Sequence, residues 1–320
     1  MEIDVSVIIV NWNTKDILCD CLKSVCRQTT NIDYEIIVVD NASTDGSSNM
    51  VKKQFPQVIL LENCENRGFA AANNQGLYTA KGRYVLMLNS DTVILDQTIE
   101  KVSIFADRNP NAAVVGCRVS NIDRTLQSTC FMFPSLLNLF LETFYLNKLF
   151  PKNRFFGREM MSWWKRNDVY NVDVVTGCFM LVRSRAIDQV GFMDENFYMY
   201  GEETDWCYRF KKAGWKNIFT PCAEIVHLGG ASSSQRKPEM VLQLRGSILF
   251  FLKKHKGFWI YALACLLVAI FFLLRIPYWL VVGVISRNDR DNHFRTVRTY
   301  LRGVFKALRG GRSLCIEQVT

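Results

Sequence analysis

The sequence predicts an α/β protein built on a mainly parallel sheet with flanking helices, ending in a hydrophobic and basic C-terminal region. Three observations carry this prediction. Short apolar runs alternate with helical patterns over the first ninety residues, each run stops on a cluster of polar residues, and a long apolar stretch flanked by cations begins after Gly257. Such alternation means βαβ units with right-handed crossovers. The polar clusters then gather on one rim at the carboxyl ends of the strands, where open α/β sheets bind ligands.

Each element follows from its own residues. Val5 to Val10 is aliphatic apart from Ser6 and reads as a buried strand; Asn11, Trp12, Asn13 and Thr14 then lead into a helix carrying Ile17, Leu18, Cys21, Leu22 and Val25. Glu35 to Val39 repeats the strand signature and ends in a turn-rich loop from Asp40 to Gly46. Val58 to Leu61 is a third strand, and Asn66, Arg67 and Gly68 open a helix over Phe69–Ala80. Tyr84 to Leu88 is apolar throughout and stops on Asn89, Ser90 and Asp91, which suits a central strand covered on both faces. Beyond it the pattern predicts a helix over Ile94–Ala106, a short strand at Val114–Gly116 and an aromatic, basic stretch without clear period from Phe131 to Trp164. A strand over Val172–Leu181 is interrupted at Thr176, Gly177 and Cys178, where glycine permits close backbone approach to a ligand. A helix from Glu202 to Ala213 stops at Gly214.

With 320 residues, 49% of them hydrophobic and 22% charged, the chain has ample material for an ordered core. Eleven cysteines show no C-x-x-C spacing and fall among apolar residues, as reduced thiols in a cytosolic compartment do. With no charged segment followed by an apolar one before Val5, no secretory leader is expected. Neither G-x-G-x-x-G nor a P-loop is present, which argues against those two nucleotide sites.

Asp91 stands where a hard oxygen ligand could hold a divalent cation against phosphates, although Asn89 and Asp91 also suit an ordinary turn after a strand. In the helix beginning at Glu202, Glu203 shares a face with Trp206, Cys207 and Phe210, while Asp205 can pair with Arg209. Glu203 is thus the carboxylate expected to face the body, or else a helix-start acid complementing the macrodipole. His227, one of three histidines, follows an apolar run and reads equally as a turn residue or a ligand.

Phe258 to Leu274 gives seventeen consecutive apolar or aromatic residues, and Ile276 to Ile285 continues the run past Arg275. Lys253, Lys254 and Lys256 precede it and eight Lys or Arg residues follow from Arg287 onward. Cations on both sides favour a hairpin turning near Arg275, Ile276 and Pro277 over a single span. The tail then shows an apolar stripe of Phe294, Val297, Leu301, Val304 and Leu308 beside a basic stripe of Arg295, Arg298, Arg302, Lys306 and Arg309, suited to anionic membrane lipids. A buried helical hairpin with a solvated basic face is the alternative, and nucleic acid is the partner least favoured. The expected organisation is a catalytic domain over 1–245, a membrane-inserting segment over 246–286 and a basic amphipathic tail over 287–320.

Six blocks in order give the chain a resemblance to the inverting glycosyltransferases of family 2, which have the GT-A fold, and most closely to their rhamnosyltransferase-like branch. They are Val5 to Asn13, Val38 to Ser47, Glu65 to Ala70 with Asn73 to Gly76, Leu88 to Thr92, Thr176 to Met180, and Gly201 to Asp205. The resemblance implies a nucleotide-sugar donor, dTDP-rhamnose or a UDP-sugar, held by Asn11, Asn13, Asp40, Asn41, Asn66, Arg67, Gly68, Asn89, Ser90 and Gly177. It implies Mg²⁺ or Mn²⁺ on Asp91 and His227, and Glu203 as general base. Asn89 replaces the first aspartate of the D-x-D motif, and Glu203 stands where most relatives carry Asp. The Q-x-x-R-W motif of the processive synthases is missing, so the resemblance implies transfer of one or a few sugars to a saccharide or lipid-linked acceptor in cell-surface polysaccharide synthesis, at the cytoplasmic face of the membrane. A membrane-tethered scaffold that has lost its chemistry is the rival reading, to which Asn89 lends weight.

Overall fold

The computed structural model describes residues 3–229, 237–286, 289–310 and 314. The chain divides into two compact units. The first comprises residues 1–133, 164–198 and 202–232; the second comprises 134–163, 199–201 and 233–320.

The first unit follows the expected alternation: β1 (Val5–Asn11), α1 (Lys15–Gln28), β2 (Tyr34–Asp40), α2 (Ser47–Gln54), β3 (Ile59–Glu62), α3 (Phe69–Thr79) and β4 (Tyr84–Asn89). β3, β2, β1 and β4 lie side by side and parallel. Strand order therefore reverses about β1, and the crevice at such a switch point is the ligand site of open α/β sheets. Val5, Val7 and Ile9 of β1 pack on Leu18, Leu22 and Val25 of α1, all fully buried. Each such side chain contributes about 1.5–3 kcal/mol of transfer free energy. On the other face α3 comes so close to β1 that a Cβ on Gly76 would lie 2.5 Å from Ile8 Cγ2.

Beyond β4 the sheet becomes mixed. β5 (Thr92–Ile94) follows at once, then α4 (Thr98–Asp107), β6 (Ala112–Ser120) and β7 (Cys130–Phe131). The helix expected over Ile94–Ala106 thus starts later, because Thr92 to Ile94 pairs antiparallel with a strand far downstream, and Asp96 and Gln97 turn the chain at positive φ. The strand expected at Val114–Gly116 is nine residues long.

The second unit opens with α5 (Leu136–Thr143) and α6 (Leu146–Leu149), two short helices inside the stretch that shows no period in the sequence. Ser135 caps α5 by accepting from the Asn138 N–H. The chain then returns to the first unit with β8 (Tyr170–Val172), β9 (Val174–Val175), β10 (Phe179–Arg183), α7 (Ser184–Val190), α8 (Glu202–Lys212) and β11 (Lys216–His227). β10 enters antiparallel between β4 and β6, and β11 lies between β6 and β5. β8 adds to β11, while β7 and β9 form a separate ladder.

Three long helices complete the second unit: α9 (Lys237–Lys256), α10 (Phe258–Ile285) and α11 (Arg290–Leu308). The boundary expected between residues 245 and 246 falls inside α9. The hairpin expected to turn near Arg275 is not present: α10 runs unbroken through Pro277. Proline removes one helical donor, the one that would reach the Leu273 carbonyl, and the helix continues past it. Here Arg275 gives its guanidinium to the carbonyls of Phe271 at 2.9 Å, Glu142 at 3.0 Å and Thr143 at 3.3 Å, and covers the Phe271 and Tyr145 rings.

α10 and α11 pack along one another, with Phe272 meeting both Tyr300 and the Cα of Gly303. The tail's packing face differs from the expected stripe. Thr296, Val297, Tyr300, Gly303 and Ala307 are buried, whereas Leu301 and Leu308 are exposed. The small Gly303 lets the Phe272 ring approach, while Leu301, Phe305 and Leu308 are left outside. α10 likewise keeps one face bare, with Trp259 79% and Ile285 74% exposed. Arg287 and Arg312 lie outside the described residues.

Candidate active site

The carboxyl ends of β1, β2 and β4 carry a connected polar network. Asn11, fully buried, donates through Nδ2 to Asp40 Oδ1 at 2.9 Å and to Ser43 Oγ at 3.1 Å. Ser43 also accepts the Asn13 N–H, and Asn13 Oδ1 accepts the Thr44 N–H at 2.8 Å. The two loops therefore hold one another. Asn13 and Ala42 sit at φ of 53° and 63°, and for alanine such a left-handed conformation costs about 1 kcal/mol.

Asn41 organises the next loop. Its Nδ2 donates to Asn66 Oδ1 at 2.9 Å and to the Gly68 carbonyl, and its Oδ1 accepts the Arg67 N–H at 3.0 Å. Gly68 has φ +80°, and a Cβ there would lie 2.7 Å from both the ring and the carbonyl of Tyr198. Glycine is required on both counts. The Arg67 side chain is exposed. Thr14 bridges to the remaining cluster, donating to Asn11 Oδ1 at 2.6 Å and lying 3.2 Å from Ser90 Oγ.

Asp91 and His227 meet across the β5–β11 pairing. His227 is opposite Thr92 in that register, and the Leu228 N–H bonds the Asp91 carbonyl at 2.9 Å. Asp91 Oδ1 lies 3.1 Å from His227 Nε2, and Asn89 Nδ2 lies 3.3 Å from the same nitrogen. Gln127, a residue without any motif in the sequence, fixes the ring. Its Oε1 is 2.9 Å from His227 Nδ1, and its Nε2 donates to the His227 carbonyl at 2.8 Å and to Asn121 Oδ1. Nδ1 is thus engaged by Gln127, and Nε2 faces Asp91.

A carboxylate oxygen and an imidazole nitrogen this close need a proton or a cation between them. Their 3.1 Å separation is that of neighbouring ligands on an octahedral cation with bonds of about 2.1 Å. The donor set fits Mg²⁺ or Mn²⁺ held jointly with phosphates and water. Among the described residues no group of three or more His, Cys, Asp or Glu gathers anywhere, so the pair would leave most positions to a substrate diphosphate.

Glu203 begins α8 half-buried, whereas Glu202, Asp205, Trp206, Cys207 and Phe210 form its fully buried side. The inward face is thus rotated from the expected one, with Glu202 and Asp205 buried beside Trp206, whose Nε1 donates to the Gly191 carbonyl at 2.8 Å. Asp205 pairs with Arg209 at 2.7 Å as expected, and Arg209 also braces the Val190 and Phe192 carbonyls. Burial, and then the charge of Glu203, push the Glu202 carboxyl well up. The buried Cys178 thiol is pushed up to about 11, first by burial and further by the charges of both Asp91 and Glu203. That places both carboxylates within electrostatic reach of one sulfur. Beside it, a Cβ on Gly177 would come within 3.4 Å of the Phe69 ring.

The fold is shared with glycosyltransferases of the GT-A class. The mannosyltransferase PcManGT from Pyrobaculum calidifontis, solved with GDP-Man and Mn²⁺, superposes with a TM-score of 0.55 at 17% identity, covering 95% of this chain and 86% of that one. GalNAc-T7, solved with UDP, GalNAc and Mn²⁺, gives a TM-score of 0.56 at 15% identity over 78% of this chain and 48% of that one. Among sequences, the N-acetylglucosaminyl-diphospho-decaprenol L-rhamnosyltransferase of Mycobacterium tuberculosis is 27% identical over 240 residues, covering 70% of this chain and 76% of that one. The family model described as glycosyl transferase family 2 matches residues 6–191. The chain belongs to that family and is a glycosyltransferase.

Proposed function

We propose that the protein is an inverting glycosyltransferase that moves a sugar from a nucleoside-diphosphate donor, dTDP-rhamnose or a UDP-sugar, to a lipid-linked saccharide of cell-surface polysaccharide assembly. The observation that carries this reading is the 3.1 Å approach of Asp91 to His227 beside the Asn11–Asp40 cradle. Asp40, Asn11 and Asn13 hold the base and ribose; Asn41, Asn66, Arg67 and Gly68 shape the neighbouring loop; Asn89, Ser90 and Gly177 line the approach to the reacting centre. Asp91 and His227 would hold Mg²⁺ or Mn²⁺, which would supply charge neutralisation for the departing diphosphate. Glu203 takes the proton of the acceptor hydroxyl as its oxygen attacks the anomeric carbon, and the single displacement inverts that carbon.

The diphospho-decaprenol for which the Mycobacterium tuberculosis relative is named supports a membrane-borne acceptor. So does α10, 28 residues of high hydropathy with a bare apolar face. In this reading the second unit rests on anionic lipids at the cytoplasmic face of the membrane.

Purified protein incubated with a panel of nucleotide-sugars, Mg²⁺ or Mn²⁺ and membranes as acceptor should release nucleoside diphosphate from one donor, and chelation should stop the release. No release from any donor would overturn the reading.

A further inference from the structure

A groove of about 410 Å³ runs beside α11 in the second unit, lined by Glu239 of α9 and by Asp291, Phe294, Arg295, Arg298 and Arg302. The basic tail is therefore more than a charged surface: three guanidinium groups line one concavity. Glu239 offsets the first, accepting from Arg295 Nε at 3.0 Å and Nη2 at 2.7 Å, and Asp291 is a second carboxylate in the lining, leaving an excess of one cation. Arg298 and Arg302 are exposed, and among the described residues neither forms an ion pair. Like charges four residues apart on a helix repel, so an anion bound between the two arginines relieves that repulsion as well as making contacts.

The type of cation narrows the ligand. Every Lys or Arg in the lining is arginine, whose planar fork gives paired hydrogen bonds to phosphate oxygens, whereas lysine acts as a point charge. The groove also has an apolar neighbour. At 100° per residue, Leu301, Phe305 and Leu308 continue the stripe of Phe294 along α11, and they are 43%, 62% and 59% exposed. A multivalent phosphate joined to a hydrocarbon chain matches both features, and a free anion matches only the first.

We propose that this arginine groove holds the diphosphate of a polyprenyl-diphosphate-linked acceptor, with the prenyl chain laid along Phe294, Leu301, Phe305 and Leu308. The proposal rests on the reading above that the acceptor is lipid-linked, and it identifies which part of the chain recognises that lipid. A phospholipid phosphodiester, with one charge, engages fewer of the arginines than a diphosphate does.

The test is co-sedimentation of the full chain with phosphatidylcholine vesicles carrying farnesyl diphosphate, against vesicles carrying phosphatidylglycerol at equal surface charge. The expected result is a preference of about tenfold for the diphosphate vesicles, equivalent to one charge-assisted pair. Arg298→Gln with Arg302→Gln should abolish the preference, while Lys306→Gln with Arg309→Gln, the same charge loss outside the groove, should keep it. Equal binding of wild type to both vesicles, or equal losses in the two double variants, would reduce the groove to surface charge and overturn the proposal. Inorganic diphosphate binding as tightly as the prenyl compound would overturn it too, since the apolar track would then contribute nothing. The readout needs no transfer, so a preference that survives in a preparation releasing no nucleoside diphosphate separates failure of the catalytic reading from failure of this one.

Discussion

The two units use their apolar residues in opposite ways. In the first, the strands β1, β2 and β4 bury nearly every aliphatic side chain, and what reaches the rim is polar: Asn11, Asp40, Asn41, Asp91. In the second, α10 and α11 bury Phe272 and Tyr300 together with small residues such as Gly303 and Ala307, while other large side chains such as Trp259, Phe305 and Ile285 face outward. Sealing a core explains the first pattern, while the second leaves apolar area that only another apolar phase would cover. The lesson is that one hydrophobic composition serves folding in one unit and contact in the other, and substitutions can separate the two uses.

The sharpest separation is at Glu203. If the rim does chemistry without holding the fold, Glu203→Gln should lower transfer by about 10²–10⁴-fold while melting temperature and donor binding stay unchanged. Wild-type turnover in this variant would remove Glu203 from the role of base. In the second unit the corresponding change is Leu301→Ser, Phe305→Ser and Leu308→Ser together. Vesicle affinity should fall on the order of a hundredfold, with no loss of melting temperature. A lower melting temperature with unchanged vesicle binding would mean that these side chains are core after all, and the comparison would collapse. A smaller effect is expected at Gln127, which touches the imidazole and not the carboxylate. Gln127→Leu should weaken Mn²⁺ dependence about 10–100-fold, measured by titrating the metal against transfer.

That last residue shows where legibility ended. The parallel half of the sheet could be read from local pattern, because each strand and helix there carries its own periodicity and ends on its own turn residues. The approach of Asp91 to His227 rests on the β5–β11 register, set by residues more than a hundred positions apart, and no local signal encodes it. For the same reason Thr92 to Ile94 reads as the start of a helix when the pairing with β11 makes it a strand. Gln127 lies in a short polar connection and has no signature beyond its contacts. In α10 the Arg-Ile-Pro sequence reads as a turn, because two of the carbonyls that receive Arg275, those of Glu142 and Thr143, belong to another helix, α5.

The smallest expected effect lies in the second unit and concerns pH. Glu159, half-buried, has its carboxyl pushed up to about 7, first by burial and then by the charge of Glu142, with Arg245 acting the other way. Glu142 already spends its charge on Arg245, whose guanidinium also covers the Phe271 ring, so a second carboxylate beside it is tolerated best when neutral. The sign follows from linkage: a carboxyl whose folded value exceeds its ordinary 4.5 binds more protons in the native state. Its stabilising contribution is complete below about pH 4.5 and is lost as pH rises through 7. Glu159→Gln, which stays neutral, should therefore melt with the wild type at low pH and above it at pH 8. Equal melting temperatures at pH 8 would show that Glu159 ionises in the fold without cost, and that the second unit keeps its interior as hydrated as its surface is apolar.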